Sequence, residues 1–304
     1  EVILYRRDYR SILAYMLHSK YQNCIILTLK RLIMDKNEII KILQEWNFWD
    51  KAPRTGVLRP AYLSKLASLY STNQVITITG PRRAGKSFIM RQMAKRLIEA
   101  GMDPRDILHV NFEDPRFIEC DVSMLQQIFE TYQEYIAPQG KPVLLLDEIQ
   151  EIENFEKWIR MHELTKAKLV ISGSNARLLS RELGTLLTGR HLDLEVFPLS
   201  FGEFLSFHNV DVTDAPGGIG NEIQIKGLLR KYVEQGSFPE VVLSEQKKEI
   251  LLSYFEDVVT RDLLRRFRIR KVQDLRSIVK YYLSNTASLS TFHSIERALD
   301  ISIT

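Results

Sequence analysis

Eight consecutive residues, Gly80-Pro81-Arg82-Arg83-Ala84-Gly85-Lys86-Ser87, have the types and spacing needed to hold a polyphosphate. They fit the pattern G-x-x-x-x-G-K-[ST] of a nucleotide phosphate-binding loop. Gly80 and Gly85 let the backbone turn tightly enough to bring its N–H groups against phosphate oxygens. Lys86 supplies a mobile point charge for β- and γ-phosphates, and the Ser87 hydroxyl is placed to ligate Mg2+. The alternative is a chance Gly-rich turn that happens to carry a lysine, and the flanking sequence argues against it. Val75-Ile76-Thr77-Ile78-Thr79 is a β-branched run that predicts a buried strand. Ser87 to Ala100 carries Phe88, Ile89, Met93, Leu97 and Ile98 at helical spacing and stops at Gly101, a good helix terminator. The amino end of that helix adds a positive dipole end aimed at the same anion.

A second constellation completes the chemistry. Val143-Leu144-Leu145-Leu146-Asp147-Glu148 is an apolar run closed by an acidic pair, the Walker B pattern. Such a strand is buried on both faces of a parallel sheet. Asp147 then faces the Mg2+ shell, and Glu148 is positioned to polarise the attacking water. An acidic pair after an apolar strand is common by itself; a domain-sized interval downstream of a phosphate loop it is specific. The adjacent glutamate also predicts an extra strand between the phosphate-loop strand and the Walker B strand.

Supporting positions follow from strand ends, where open parallel sheets line their ligand crevice. Ile107 to Phe112 reads as a strand running into the acidic turn Glu113-Asp114-Pro115-Arg116, so Glu113 and Asp114 face either the metal shell or solvent. Leu169-Val170-Ile171-Ser172-Gly173-Ser174-Asn175 reads as a strand with a polar end. Asn175 or Ser174 is the candidate γ-phosphate sensor; a cap for a helix at Arg177 is the alternative. Arg190, after Leu187-Thr188-Gly189, is the candidate source of transition-state charge, in cis or to a neighbouring subunit. Leu192 to Phe197 alternates and is expected to close the sheet. Arg59 reads as a surface arginine or a nucleotide contact.

The elements that must carry these residues are visible as periodicities. Asn37 to Trp46 is amphipathic, with Asn37 as its cap. Pro60 opens a helix through Tyr62, Leu63, Leu66 and Leu69. Asp121 caps a helix through Leu125, Ile128, Phe129 and Tyr132, and Asn154 precedes one with Phe155, Trp158 and Ile159 on its inner face. Pro216-Gly217-Gly218-Ile219-Gly220 is a break. Beyond it the chain reads as helical, with Leu228, Leu229, Tyr232 and Val233 facing inward. A long helix with Ile250, Leu251, Tyr254, Phe255 and Val258 then ends in a basic cluster, Arg261, Arg265, Arg266, Arg268, Arg270 and Lys271. From Ser277 a helix, a turn and Phe292, Ile295 and Leu299 look like the start of a helix-turn-helix.

Six motifs in order closely resemble the prokaryotic AAA-type ATPases common in archaea: Gly80 to Ser87, Leu144 to Gln150, Ser172 to Asn175, Thr188 to Arg190, Phe197 to Phe204 and Gly236 to Val241. The resemblance covers roughly Asn37 to Thr304. It implies that Lys86, Ser87, Asp147 and Glu148 carry ATPase roles, and Arg190 matches the family's Gly-Arg position. It also implies that a winged helix and a nuclease-like domain follow the ATPase domain. The expected organisation is an extension over 1–33, an AAA-type α/β domain of a parallel P-loop sheet over 34–215, a helical lid over 221–271 and a truncated winged helix over 272–304.

Composition sets the bounds. The chain has 304 residues, a formal net charge of +4 and two cysteines, Cys24 and Cys120, at no metal or redox spacing. That length predicts two or three domains. The mild charge permits nucleic-acid binding without arguing for it. No apolar run is long enough to span a bilayer, and no leader with an apolar core precedes the domain, so a cytoplasmic ATPase is expected. Partners are expected to be ATP with Mg2+, with two further classes open: DNA, through the basic helix end and winged helix, and a second copy of the chain. The expected activity is MgATP hydrolysis coupled to domain motion. The competing reading is a nucleotide-gated switch with little turnover. A kinase is disfavoured by the paired Asp147-Glu148 before a polar strand end.

Overall fold

The computed structural model describes residues 34–117, 121–136, 138–163, 167–174, 190–210, 219–265, 267 and 269–301. The chain divides into two compact units, 1–203 and 204–304.

The first unit is built on five parallel strands: β1 (Val75–Thr79), β2 (Ile107–Asn111), β3 (Val143–Asp147), β4 (Lys168–Gly173) and β5 (His191–Glu195). Their spatial order is β2-β3-β4-β1-β5. β4 therefore lies between the strand that feeds the phosphate loop and the strand that ends in Asp147, as the acidic pair predicts. This is the α/β fold of P-loop NTPases of the AAA type.

Helices cover both faces. On one side α1 (Lys36–Trp46), α4 (Val122–Tyr135) and α5 (Phe155–Glu163) pack Ile39, Leu43, Leu125, Ile128 and Ile159 against Leu108, Leu144, Leu146, Leu169 and Ile171. On the other, α2 (Pro60–Tyr70) and α3 (Lys86–Glu99) pack Leu66, Ile89, Met90 and Met93 against Ile76, Ile78, Leu145, Val170 and Leu194. Successive strand residues thus feed opposite cores. Each fully buried aliphatic side chain contributes about 1.5–3 kcal/mol relative to exposure.

Local chemistry fixes the ends. Gly101 adopts φ 99° after α3, and Met102 N–H returns to the Leu97 carbonyl while Gly101 N–H takes that of Ile98, a Schellman closure. The Asp121 carboxylate caps α4 through Met124 N–H at 2.9 Å. α1 begins after Asp35, whose carbonyl takes the first helical N–H groups, so the cap falls two residues before the expected Asn37. The outer edge of β2 is covered by side chains. Asn47 exchanges hydrogen bonds with His109 N–H and carbonyl at 2.6 and 2.9 Å, and Trp49 Nε1 donates to the Ile107 carbonyl. An amide and an indole stand in for a missing strand and remove an exposed edge.

The second unit is helical: most of α6 (Phe201–Phe207), then α7 (Ile219–Gln235), α8 (Pro239–Leu243), α9 (Lys247–Asp257), a π-helical stretch Val258–Arg265, α10 (Val272–Ser284) and α11 (Phe292–Leu299). Leu228, Val241, Tyr254, Val259 and Ile295 are buried. Leu229, Val233 and Phe292 are exposed, against the expectation for the first two that they face inward. Thr291 and Ser294 form a reciprocal capping box at α11.

Candidate functional site

The phosphate loop runs from the end of β1 to the start of α3, between one strand and the helix that crosses it. Gly80, Arg83 and Gly85 take φ values of 139°, 65° and 98°, all in the left-handed region. A Cβ at Gly80 would meet the Val196 carbonyl oxygen at 2.0 Å, so only glycine fits there. Arg83, with a side chain, carries the strain of its conformation. Pro81 carries the carbonyl that receives Ala84 N–H at 3.3 Å, a turn inside the loop. Arg82 points outward to ion pairs with Glu113 and, at 3.9 Å, with Glu151.

Lys86 is buried, with its Nζ donating to the Gly80 and Pro81 carbonyls at 3.1 and 3.2 Å. The same Nζ lies 3.3 Å from Glu148 Oε1. Glu148 itself sits at φ 54° directly after β3. Its other oxygen accepts from Gln150 Nε2 at 2.6 Å and from Ser174 N–H at 3.2 Å.

Asp147 is fully buried. Its Oδ1 accepts from the Ser172 hydroxyl, which in turn accepts Glu148 N–H at 3.1 Å. Its Oδ2 has no hydrogen-bond partner and lies 3.9 Å from His109 Nε2, beyond hydrogen-bond reach. Burial works against the Asp147 charge, yet His109, Ser172 and Ser87 together outweigh it and hold the carboxyl below the ordinary carboxylate range. A buried anionic oxygen with no protein hydrogen-bond partner is a hard donor of the kind that fits Mg2+. Among the described residues, no cluster of three or more His, Cys, Asp or Glu side chains could hold a metal by itself.

Strand register explains the convergence. Asn111 pairs with Asp147, Leu146 with Ile171 and Ile78 with Ser172. Asp147 and Ser172 share the α3 side of the sheet because Leu145 and Val170, two residues before each, pack into that core.

Other expected positions separate from this cluster. Asp114 is buried against Trp46 Nε1 at 2.9 Å and Arg116, and Glu113 pairs with Arg82 of the phosphate loop. A tight turn after β2, closed by Asp114 N–H to the Asn111 carbonyl, carries both residues. Phe88, expected on the packed face of α3, is exposed. Asn175 lies outside the described residues. Arg190 is exposed at the beginning of β5, where its carbonyl accepts Val75 N–H at 3.1 Å. It is therefore at the amino-terminal end of the strands. The length of β1, on the order of 16 Å, separates that end from the phosphate loop.

The contacts of two residues near the site are not legible in the sequence. Ser172 reads only as a polar residue near a strand end, and the signal was its place in an otherwise apolar run. Arg59 is buried rather than on the surface. It donates to the Ala84 carbonyl at 2.8 Å and to both Glu203 oxygens at 2.7 and 2.9 Å. No local pattern signals it.

Parts of the chain are similar to known proteins. Residues 72–205 match the family model described as AAA domain, and residues 226–304 match one described as a domain of unknown function. An uncharacterized protein of Haemophilus influenzae is 32% identical over 247 residues, covering 80% of this chain and 59% of that one. An uncharacterized protein of Methanocaldococcus jannaschii is 30% identical over 237 residues, covering 76% and 52%. The chain thus spans between half and three-fifths of the length of these relatives. Among solved structures, a Walker-type ATPase of Pyrococcus abyssi aligns over 83% of this chain and 91% of that one, at 13% identity and a TM-score of 0.45. The phosphate loop, the acidic pair and the sheet that carries them all fall within residues 72–205, the stretch that matches the AAA domain.

Proposed function

We propose that the chain binds MgATP at the Gly80–Ser87 loop and hydrolyses its γ-phosphate. The observation that carries this reading is the meeting of Lys86, which follows β1, with Glu148, which follows β3, at 3.3 Å although the two strands are not adjacent. In this reading Lys86 binds the β- and γ-phosphates. Ser87 and Asp147 hold Mg2+, which supplies charge neutralisation on the phosphate oxygens when bound. Glu148 takes the proton of the attacking water. Its contacts with Gln150 and Ser174 N–H orient the carboxylate, and a terminal phosphate on Lys86 would release the oxygen that Lys86 now holds.

The remaining assignments are proposals of the same reading. Asn175 senses the γ-phosphate from beyond β4. Arg190, placed at the far end of the strands, serves a nucleotide only on a neighbouring copy. Hydrolysis is coupled to motion of the helical region, with 221–271 as a lid and 272–304 as the start of a winged helix that contacts DNA.

The test is phosphate release from MgATP, with and without duplex DNA, by the chain and its Lys86→Ala and Glu148→Gln variants. Turnover lost in both, with Glu148→Gln still binding ATP, supports the assigned roles, and stimulation by DNA makes DNA the partner. Tight, Lys86-dependent binding without turnover under any condition replaces hydrolysis with the nucleotide-gated switch.

A further inference from the structure

The back of the phosphate loop is held by a residue outside every recognised motif. Arg59 stands just before α2 and is 2% exposed. Its Nη1 donates to the Ala84 carbonyl at 2.8 Å, and Nε and Nη2 grip the two Glu203 oxygens at 2.7 and 2.9 Å. Nη2 also reaches the Phe197 carbonyl at 3.0 Å, and the guanidinium carbon lies 4.4 Å from the centre of the Tyr62 ring. The backbone N–H of Arg59 donates to Gln92 Oε1 on α3 at 3.3 Å, and Gln92 Nε2 holds the Thr55 and Val57 carbonyls at 2.8 Å each. Glu203 is itself fixed by Ser200 N–H at 2.9 Å.

We propose that Arg59, braced by Glu203, is a positioning residue that sets the phosphate loop in its anion-accepting shape; this rests on the nucleotide reading above. The reason is peptide geometry. The carbonyl of Ala84 and the N–H of Gly85 belong to one planar trans unit and point in opposite directions. Drawing the Ala84 carbonyl outward onto Arg59 turns the Gly85 N–H the other way, toward the side that receives phosphate. Ala84 lies between Arg83 at φ 65° and Gly85 at φ 98°, two left-handed residues that leave this peptide free to flip unless something holds it. Arg59 holds it from a second element. The Val196–Glu203 segment, against which Gly80 also rests, is the anchor for both ends of the loop. A lysine has the charge of Arg59 but cannot span Ala84, Phe197 and both Glu203 oxygens, because it lacks the planar fork.

Arg59→Lys, Glu203→Gln and the double variant of the full chain would be compared with wild type and Lys86→Ala. Three quantities are read: the thermal midpoint without nucleotide, the Kd for MgATP by calorimetry, and KM and kcat for phosphate release. Arg59→Lys is expected to unfold cooperatively yet bind MgATP at least tenfold more weakly, with the loss in Kd and KM. The double variant is expected to lose no more than Arg59→Lys alone, because the two residues act as a unit. A lowered midpoint with Kd and KM at wild-type values overturns the proposal and leaves Arg59 a structural residue. If Arg59→Lys does not fold, Glu203→Gln decides by the same criterion, with a threefold or greater rise in Kd expected. Wild-type protein that binds no MgATP overturns both readings. Lys86-dependent binding that the Arg59 and Glu203 variants leave unmoved overturns this one alone.

Discussion

The Lys86 ammonium lies 3.3 Å from a Glu148 carboxylate oxygen, so the cation proposed for phosphate and the base proposed for water form one ion pair. Both are buried, and each offsets part of the desolvation cost of the other. A triphosphate must take Lys86 away from Glu148, and it brings negative charge up to that carboxylate. Glu148→Gln removes both obstacles. It should bind MgATP several-fold more tightly than wild type while turnover falls by about 10²–10⁴-fold, the range for loss of a positioned general base. Calorimetry and phosphate release on the same preparation check this; weaker binding in the variant contradicts it.

Ser172 links the two acidic residues through one hydroxyl, which donates to Asp147 and accepts Glu148 N–H at 3.1 Å. Ser172→Ala leaves a buried N–H and a buried carboxylate oxygen each short of a partner. A loss of about 1–3 kcal/mol in unfolding free energy is expected. Turnover should fall as well, since the direction of Glu148 is set by that N–H. Urea denaturation and phosphate release measure the two effects; unchanged stability would show that water replaces the hydroxyl.

The two glycines that bracket α3 should respond differently to a methyl group. At Gly80 an alanine meets the Val196 carbonyl at 2.0 Å and must adopt φ 139°, so the backbone has to move. At Gly101 the φ of 99° strains an alanine, but nothing lies within 4 Å. Gly80→Ala is expected to abolish nucleotide binding and cost several kcal/mol, of order a strained residue plus a clash. Gly101→Ala should cost roughly 1–2 kcal/mol and leave MgATP affinity intact. Thermal unfolding with and without MgATP separates them.

Asp114 gives the first unit an acid-sensitive joint. Its hydrogen bond to Arg116 lowers its pKa, burial opposes this, and Trp46 Nε1 assists, with the result at about 2. Because the folded pKa lies below the unfolded one, the contribution is complete above the unfolded value near 3.8 and disappears as pH falls through about 2. Arg116 is partly exposed, so solvent screening trims the effect to about 1–2 kcal/mol. Asp114→Ala should therefore be destabilised at pH 7 relative to wild type, with the gap closing between pH 4 and 2. Unfolding free energies across that range test it; a gap independent of pH would assign the loss to packing.

The sequence by itself determined the loop, the acidic pair, the five strands and the helices that flank them. Each rests on a local requirement: left-handed backbone at Gly80 and Gly85, an apolar run that can be buried on both faces at Val143–Leu146, a cap at Asp121. It even implied the position of β4, since an acidic pair at the end of β3 goes with a strand inserted beside it. Tertiary structure alone decided which side chains meet. Strands buried on both faces show no alternation, so their sequence cannot tell which residue faces α3. Register sets Ser172 beside Asp147 and brings His109 near it. Long-range closure decided the rest. Arg59 and Ala84 are 25 positions apart and Arg59 and Glu203 are 144 apart, so no window along the chain contains the pair. The same closure gave Asp114 to Trp46, paired Glu113 with Arg82 of the phosphate loop, and set Arg190 at the opposite end of the strands from the loop. Spacing reveals groups that act through one turn of backbone; contacts made across a folded core are fixed only when the core closes.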